Sequence, residues 1–148
     1  MPDTYDLISG TAVNPPIPAK VDEPFCVLVC KNAGQTPAYN VRVYAQLSVI
    51  EPKNESTLIV PPLQAGMYSV LGPNVGMRSP RSLNRNLTAG EIADIRTGMK
   101  AIYLFGRIEY RDAFKKNRFT TFRMMYSGVW PLTAPAGLNF ALQGNEAD

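Results

Sequence analysis

Tyr39-Asn40-Val41-Arg42-Val43-Tyr44-Ala45-Gln46-Leu47-Ser48-Val49-Ile50 reads as a β-strand with one buried and one solvated face. Val41, Val43, Ala45, Leu47 and Val49 alternate with Asn40, Arg42, Tyr44, Gln46 and Ser48. A side-chain period of two places each set on its own side of a sheet. Upstream, Phe25-Cys26-Val27-Leu28-Val29-Cys30 is apolar without a break, which predicts a strand covered on both faces. Lys31-Asn32-Ala33-Gly34-Gln35-Thr36-Pro37-Ala38 joins the two, with Asn, Gly and Pro supplying the backbone angles of a loop.

Further along, Ala101 to Arg111 alternates again, with Ile102, Leu104, Gly106, Ile108 and Tyr110 on one face and Tyr103, Phe105, Arg107, Glu109 and Arg111 on the other. Asp112–Asn117 makes a turn and Arg118–Tyr126 returns, so a hairpin is expected over 101–126. Just before it, Thr88-Ala89-Gly90-Glu91 has the Thr-x-x-Glu spacing of a capping box, Ile92 and Ile95 form one stripe, and Gly98 is a stop. This predicts a short helix. The stretch 51–85 is weaker: Thr57–Val60 and Met67–Leu71 resemble short strands, interrupted by Pro61, Pro62, Pro73 and Pro80. Tyr5–Val13 is a candidate edge strand, followed by a stiff connector through Asn14-Pro15-Pro16-Ile17-Pro18.

Several strands, one short helix and turns built from thirteen prolines and eleven glycines argue for an all-β domain, an immunoglobulin-like β-sandwich with the helix just before the C-terminal hairpin. A small closed barrel is the alternative. The strand at 25–30 would lie central in one sheet, and those at 39–50 and 101–126 would build the other. The domain is expected over residues 1–130, with 131–148 a flexible Pro/Gly-containing tail.

Net charge is +3, too small by itself to imply nucleic acid or an anionic membrane. The sequence contains no apolar run of the ~18 residues a membrane helix needs and no basic-then-apolar leader. Cys26 and Cys30 are four apart; in one strand their Cα atoms would be ~13 Å apart, beyond the ~7 Å limit for a disulfide. They read as core thiols.

The run from Val27 to Val43 resembles the strand, N-x-G-x-T-P-A loop, strand signature of bacterial immunoglobulin-like domains, carried here by Asn32, Gly34, Thr36, Pro37 and Ala38. With Phe105-Gly106-Arg107-Ile108-Glu109-Tyr110-Arg111-Asp112 the chain is similar, over residues 5 to 126, to an uncharacterised family of such domains. That resemblance implies a periplasmic or membrane-anchored extracytoplasmic location, with membrane contact only through an anchor that this sequence does not carry.

Histidine is absent from the sequence, which removes Ser-His and Cys-His pairs and the commonest metal ligand. Asp3/Asp6, Asp22/Glu23, Glu91/Asp94 and Glu109/Asp112 fit turns, a helix N-terminus or opposite strand parity better than an acid/base couple. No catalytic residue, metal or cofactor is expected. The candidate interface is the hairpin face of Tyr103, Phe105, Arg107, Glu109 and Arg111, joined by Arg123 from the returning strand, because Tyr, Phe and Arg anchor interfaces. Cross-strand pairing is the plainer account of the same residues. The hairpin tip, with Lys115, Lys116 and Arg118 beside Phe114 and Phe119, is too local a basic patch to expect nucleic acid. A non-catalytic module that binds a protein partner or itself is the leading expectation. A small-ligand carrier, with Tyr39, Tyr44, Tyr68, Tyr103 and Trp130 lining an inter-sheet pocket, is the second.

Overall fold

The described residues are mostly β-strand, in two antiparallel sheets, and the one α-helix among them has nine residues, so the fold is all-β. The computed structural model describes residues 2–9, 22–63, 68–130, 132, 136–141 and 144–147. In chain order the strands are β1 (Pro2–Ser9), β2 (Pro24–Lys31), β3 (Ala38–Ile50), β4 (Ser69–Leu71), β5 (Gly76–Ser82), β6 (Ala101–Arg111), β7 (Asn117–Tyr126), β8 (Ala136–Gly137), β9 (Asn139–Phe140) and β10 (Glu146–Ala147). A 3-10 helix, Pro52–Thr57, follows β3, and α1, Ala89–Thr97, precedes β6.

The strands form two antiparallel sheets. One runs β5-β2-β1-β8, the other β10-β7-β6-β3-β4, with β9 also on β7. As expected, the 25–30 strand is interior to one sheet, while the 39–50 strand and the hairpin share the other. Cys26, Leu28 and Cys30 from the first sheet and Val41, Ala45, Leu47, Ile102, Leu104, Ile108 and Phe122 from the second belong to one buried cluster. The outward residues of β2 (Phe25, Val27 and Val29) are only half-buried, so its second face is less covered than the apolar run suggests. Burial pushes the Cys26 thiol up to about 12 and the Cys30 thiol up to about 11, because a thiolate loses its hydration there.

Local chemistry explains the joints. Asn32 Oδ1 accepts from Gly34 N at 3.0 Å, and its Nδ2 donates to the carbonyls of Thr36 (2.8 Å) and Leu71 (3.0 Å). One side chain therefore shapes the loop and ties it to β4. Thr88 and Glu91 complete the capping box, and Gly98 closes α1 with φ 81°, the left-handed angle that glycine tolerates. The helix carries the chain from β5 in one sheet to β6 in the other. Arg96 of α1 donates from Nε to the Trp130 carbonyl at 2.9 Å, fixing the exit from β7. At the hairpin turn, Asp112 Oδ1 accepts from the backbone of Phe114 and Lys116, each at 2.9 Å.

Four expectations need correction. First, β1 lies between β2 and β8 instead of at an edge; the Asn14–Pro18 connector falls outside the described residues. Second, Thr57–Val60 is not a strand: Pro52 starts the 3-10 helix, and Leu58 is then buried against β6. Third, Arg78, Arg81 and Arg85, whose closeness in sequence suggests a modest basic cluster, do not cluster. Arg81 faces inward and donates to the Ala45 carbonyl at 3.0 Å, whereas Arg85 pairs with Glu91 at 2.9 Å. Fourth, the segment beyond residue 130 is not simply a tail: β8 pairs with β1, β9 and β10 pair with β7, and Leu132 and Ala141 are buried. Apolar residues spaced among the prolines give this segment contacts that its composition conceals.

Candidate functional site

Parity along β6 places Tyr103, Phe105, Arg107, Glu109 and Arg111 on the outer face of the larger sheet, away from the shared core. Opposite them in register on β7 stand Met125, Arg123, Thr121, Phe119 and Asn117. On the other side, β3 sets Tyr44 beside Arg107 and Arg42 beside Glu109. All the sequence-designated interface residues therefore share one face. That face is divided into a sealed half and an open half.

Tyr103 is 0 % exposed and Phe105 5 %, in a second cluster with Leu58, Ala101 and Ala141. The segment after β3 folds back over them, and the C-terminal segment closes the other flank. Glu55, on the 3-10 helix, accepts from the Tyr103 hydroxyl at 3.2 Å and pairs with Arg123 at 3.3 Å. Arg123 also donates to the Leu58 carbonyl at 3.3 Å. Burial, then the neighbouring Glu55 carboxylate, pushes the Tyr103 hydroxyl up to about 12. Tyr103, Phe105 and Arg123 thus hold a covering segment in place and do not form an exposed patch. This corrects the interface expectation for those three residues.

Among the described residues the other half is open. A recess of about 320 Å³ is lined by Arg42, Tyr68, Arg107, Glu109, Arg111, Arg118 and Phe119, among others. Glu109 lies between two guanidinium groups: Oε2 bonds Arg42 Nη2 at 2.5 Å, and Oε1 bonds Arg107 Nε at 2.8 Å. The Arg107 guanidinium sits 4.0 Å from the centroid of the Phe119 ring, and that of Arg42 5.6 Å from Tyr68, within reach of a cation–π attraction. Arg118 pairs with Asp112 at 3.1 Å, and Arg111 Nε donates to the Lys115 carbonyl at 3.2 Å. Hydrogen bonds from the backbone of Lys116, then from Arg118 and Phe114, hold the Asp112 carboxyl below its ordinary value. Four guanidinium groups against the carboxylates of Glu109 and Asp112 leave two positive charges in excess. A second hollow of about 280 Å³, between Leu58/Val60 and Gly144/Glu146, also has Arg107 in its lining, so the two hollows adjoin there.

Arg42 was not legible as a site residue, and Tyr68 was expected in an inter-sheet pocket instead of in this recess. Arg42 lies opposite Glu109 only because β3 carries a bulge between Tyr39 and Arg42, where Asn40 has φ 51°. A bulge inserts one residue and resets which neighbours meet. The Arg/Glu complementarity across strands was the available signal, but using it required the register.

The aromatic set expected to line an inter-sheet pocket does not converge. Tyr39 and Tyr68 are exposed, Trp130 is in the main core and Tyr103 is on the outer face. A different cavity of about 200 Å³ does open near the loop, with Cys30, Ala38, Val41, Leu71 and Ile108 on its walls and Asn32 and Thr36 also in its lining. Among the described residues no three potential metal-ligand side chains converge, and no helix is long and apolar enough to cross a membrane. Scans against protein-family models, curated proteins and solved structures returned no match to this chain.

Proposed function

We propose that this chain is a non-catalytic interaction module of immunoglobulin-like sandwich architecture, the extracytoplasmic domain of a bacterial envelope protein, binding a protein partner or a second copy through the open half of its outer sheet face. The architecture is supported by strand order. β1-β2-β5 beside β7-β6-β3-β4 corresponds to strands A-B-E and G-F-C-C′ of an immunoglobulin-type sandwich. One hallmark is missing, because Cys26 and Cys30 are both free thiols and no disulfide joins the sheets.

The single observation behind the binding role is the arginine recess. Arg42, Arg107 and Glu109 are held half-buried by one another over aromatic rings. An Arg-aromatic surface of this kind matches the composition of binding hot spots. Arg107→Glu with Arg111→Glu tests it by sedimentation velocity and by capture from an envelope fraction, each against the unaltered chain. The reading expects lost association with an unchanged far-UV spectrum; association equal to that of the unaltered chain would count against this face. Phe105 is unsuited to the test, since its burial makes any truncation a folding lesion.

A second reading, a small-ligand carrier, is favoured by the cavity near the Asn32–Ala38 loop. Its roughly 200 Å³ is below the ~300–1,000 Å³ of drug-sized sites, so only a compact apolar molecule would fit. Native mass spectrometry of protein purified from cells would reveal a retained ligand as an added mass.

A further inference from the structure

Arg107 and Arg111 lie on the same face of β6 and line the same recess. Each uses Nε for its hydrogen bond within the protein, Arg107 to Glu109 and Arg111 to the Lys115 carbonyl. Their terminal amino groups make no hydrogen bond to the described residues. Arg118 also donates from Nε, but to Asp112, which matches its charge one to one, whereas Arg42 and Arg107 share the single carboxylate of Glu109, Arg42 through Nη2. The excess of two positive charges therefore resides where donor capacity is unspent. Guanidinium forks bind oxyanions bidentately, and Phe119 holds the Arg107 plane at 4.0 Å, which limits the ordering that capture of a ligand would require.

We infer that this recess is a binding site for a doubly charged oxyanion of the phosphate-monoester class, held by the terminal amino groups of Arg107 and Arg111. The inference rests on the binding role proposed above and specifies the chemistry recognised there. Two negative charges neutralise the excess, whereas a monocarboxylate or a phosphodiester leaves half of it unmatched. The ligand group has the same chemistry whether it is free, on a small molecule or on a lipid headgroup.

The test is an NMR titration of arginine Nε–Hε and backbone amide signals at neutral pH with inorganic phosphate, phenyl phosphate, dimethyl phosphate and acetate in turn. Saturable shifts confined to residues around 105–111 and 117–121 are expected with inorganic and phenyl phosphate. Dimethyl phosphate and acetate should bind at least about ten-fold more weakly. Arg107→Gln and Arg111→Gln should each weaken phosphate about ten-fold, as the loss of one charge-assisted hydrogen bond implies. Arg78→Gln, at an exposed position on the other sheet, should change nothing. Sedimentation with phosphatidylcholine vesicles, with and without phosphatidic acid, identifies a lipid source if only the latter retain the protein. Non-saturating shifts, equal binding of acetate, or an equal loss in Arg78→Gln would overturn the assignment. Should Arg107→Gln fail to fold, the exposed Arg111→Gln decides alone. If phosphate does not bind but Arg107→Glu with Arg111→Glu still abolishes association, the anion assignment fails and the interaction role stands.

Discussion

Replacing Gly106 with alanine should be among the most damaging single-methyl changes in the chain. Gly106 sits in β6, opposite Ala45 of β3 and Phe122 of β7. A Cβ built there would lie 1.9 Å from the Tyr44 carbonyl oxygen and 2.7 Å from a Phe122 ring carbon. Ordinary van der Waals contact starts near 3.4 Å. The Phe122 ring could rotate, but the Tyr44 oxygen is backbone, so β3 and β6 must separate by more than ~1 Å, which weakens ladder bonds at their ~2.9 Å optimum. Overpacking costs about 1–3 kcal/mol, and two weakened ladder bonds add about 1 kcal/mol each. A loss of roughly 3–5 kcal/mol compares with a total stability on the order of 5–15 kcal/mol for a domain. Urea unfolding followed by the fluorescence of the buried Trp130 measures it, and the midpoint should fall by about 1–3 M. Gly90→Ala is the matched control: its Cβ meets nothing closer than 4.0 Å, and helix propensity favours alanine by about 0.5–1 kcal/mol. A Gly106→Ala loss under ~1 kcal/mol at unchanged m-value would refute the argument that this backbone contact is rigid.

Three further outcomes are expected. Truncating Arg123 to Met should cost about 2–4 kcal/mol, because its nearly buried partner Glu55 is left unpaired; in a double-mutant cycle, Glu55→Gln should recover part of that loss. Glu91, held below its ordinary 4.5 by its hydrogen bond to Arg85, and Asp112, held below 3.8 by the backbone of Lys116, bind protons less readily folded than unfolded. Their contribution is present above those ordinary values and disappears as pH falls through the lowered ones, so Glu91→Gln with Asp112→Asn should flatten the acid limb of a stability–pH profile. Finally, both thiols should resist a disulfide reagent at mildly alkaline pH in the native protein and react when it is unfolded, as their burial and raised pKa values imply. Cys30, at a wall of the open cavity, should react before Cys26.

What could be read from sequence was what repeats locally. The period of two in 39–50 and 101–111, the Thr88/Glu91 cap and the Asp112 turn each rest on neighbours within a few residues, and each element forms where expected. The coverage of the outer face was not legible. Leu58 and Ala141 seal Tyr103 and Phe105 from segments about 40 residues away on either side, and nothing in the period of β6 distinguishes a covered aromatic from an exposed one. Arg107, Glu109 and Arg111 were placed on the right face, but their division from Tyr103, Phe105 and Arg123 depends on where Glu55 reaches. The pairing of Arg42 with Glu109 needed the bulge at Asn40 as well as both strands.

The outermost strands have a consequence for how copies of this protein can stack. β4 spans three residues, β8 and β10 two each, and β5 places Pro80 opposite Val27 in mid-strand. A short or proline-interrupted margin offers little continuous backbone for another chain to extend. Fibril-like growth by sideways strand addition onto these four outermost described strands is therefore discouraged. At high concentration the molecule should therefore resist runaway polymerisation through these edges.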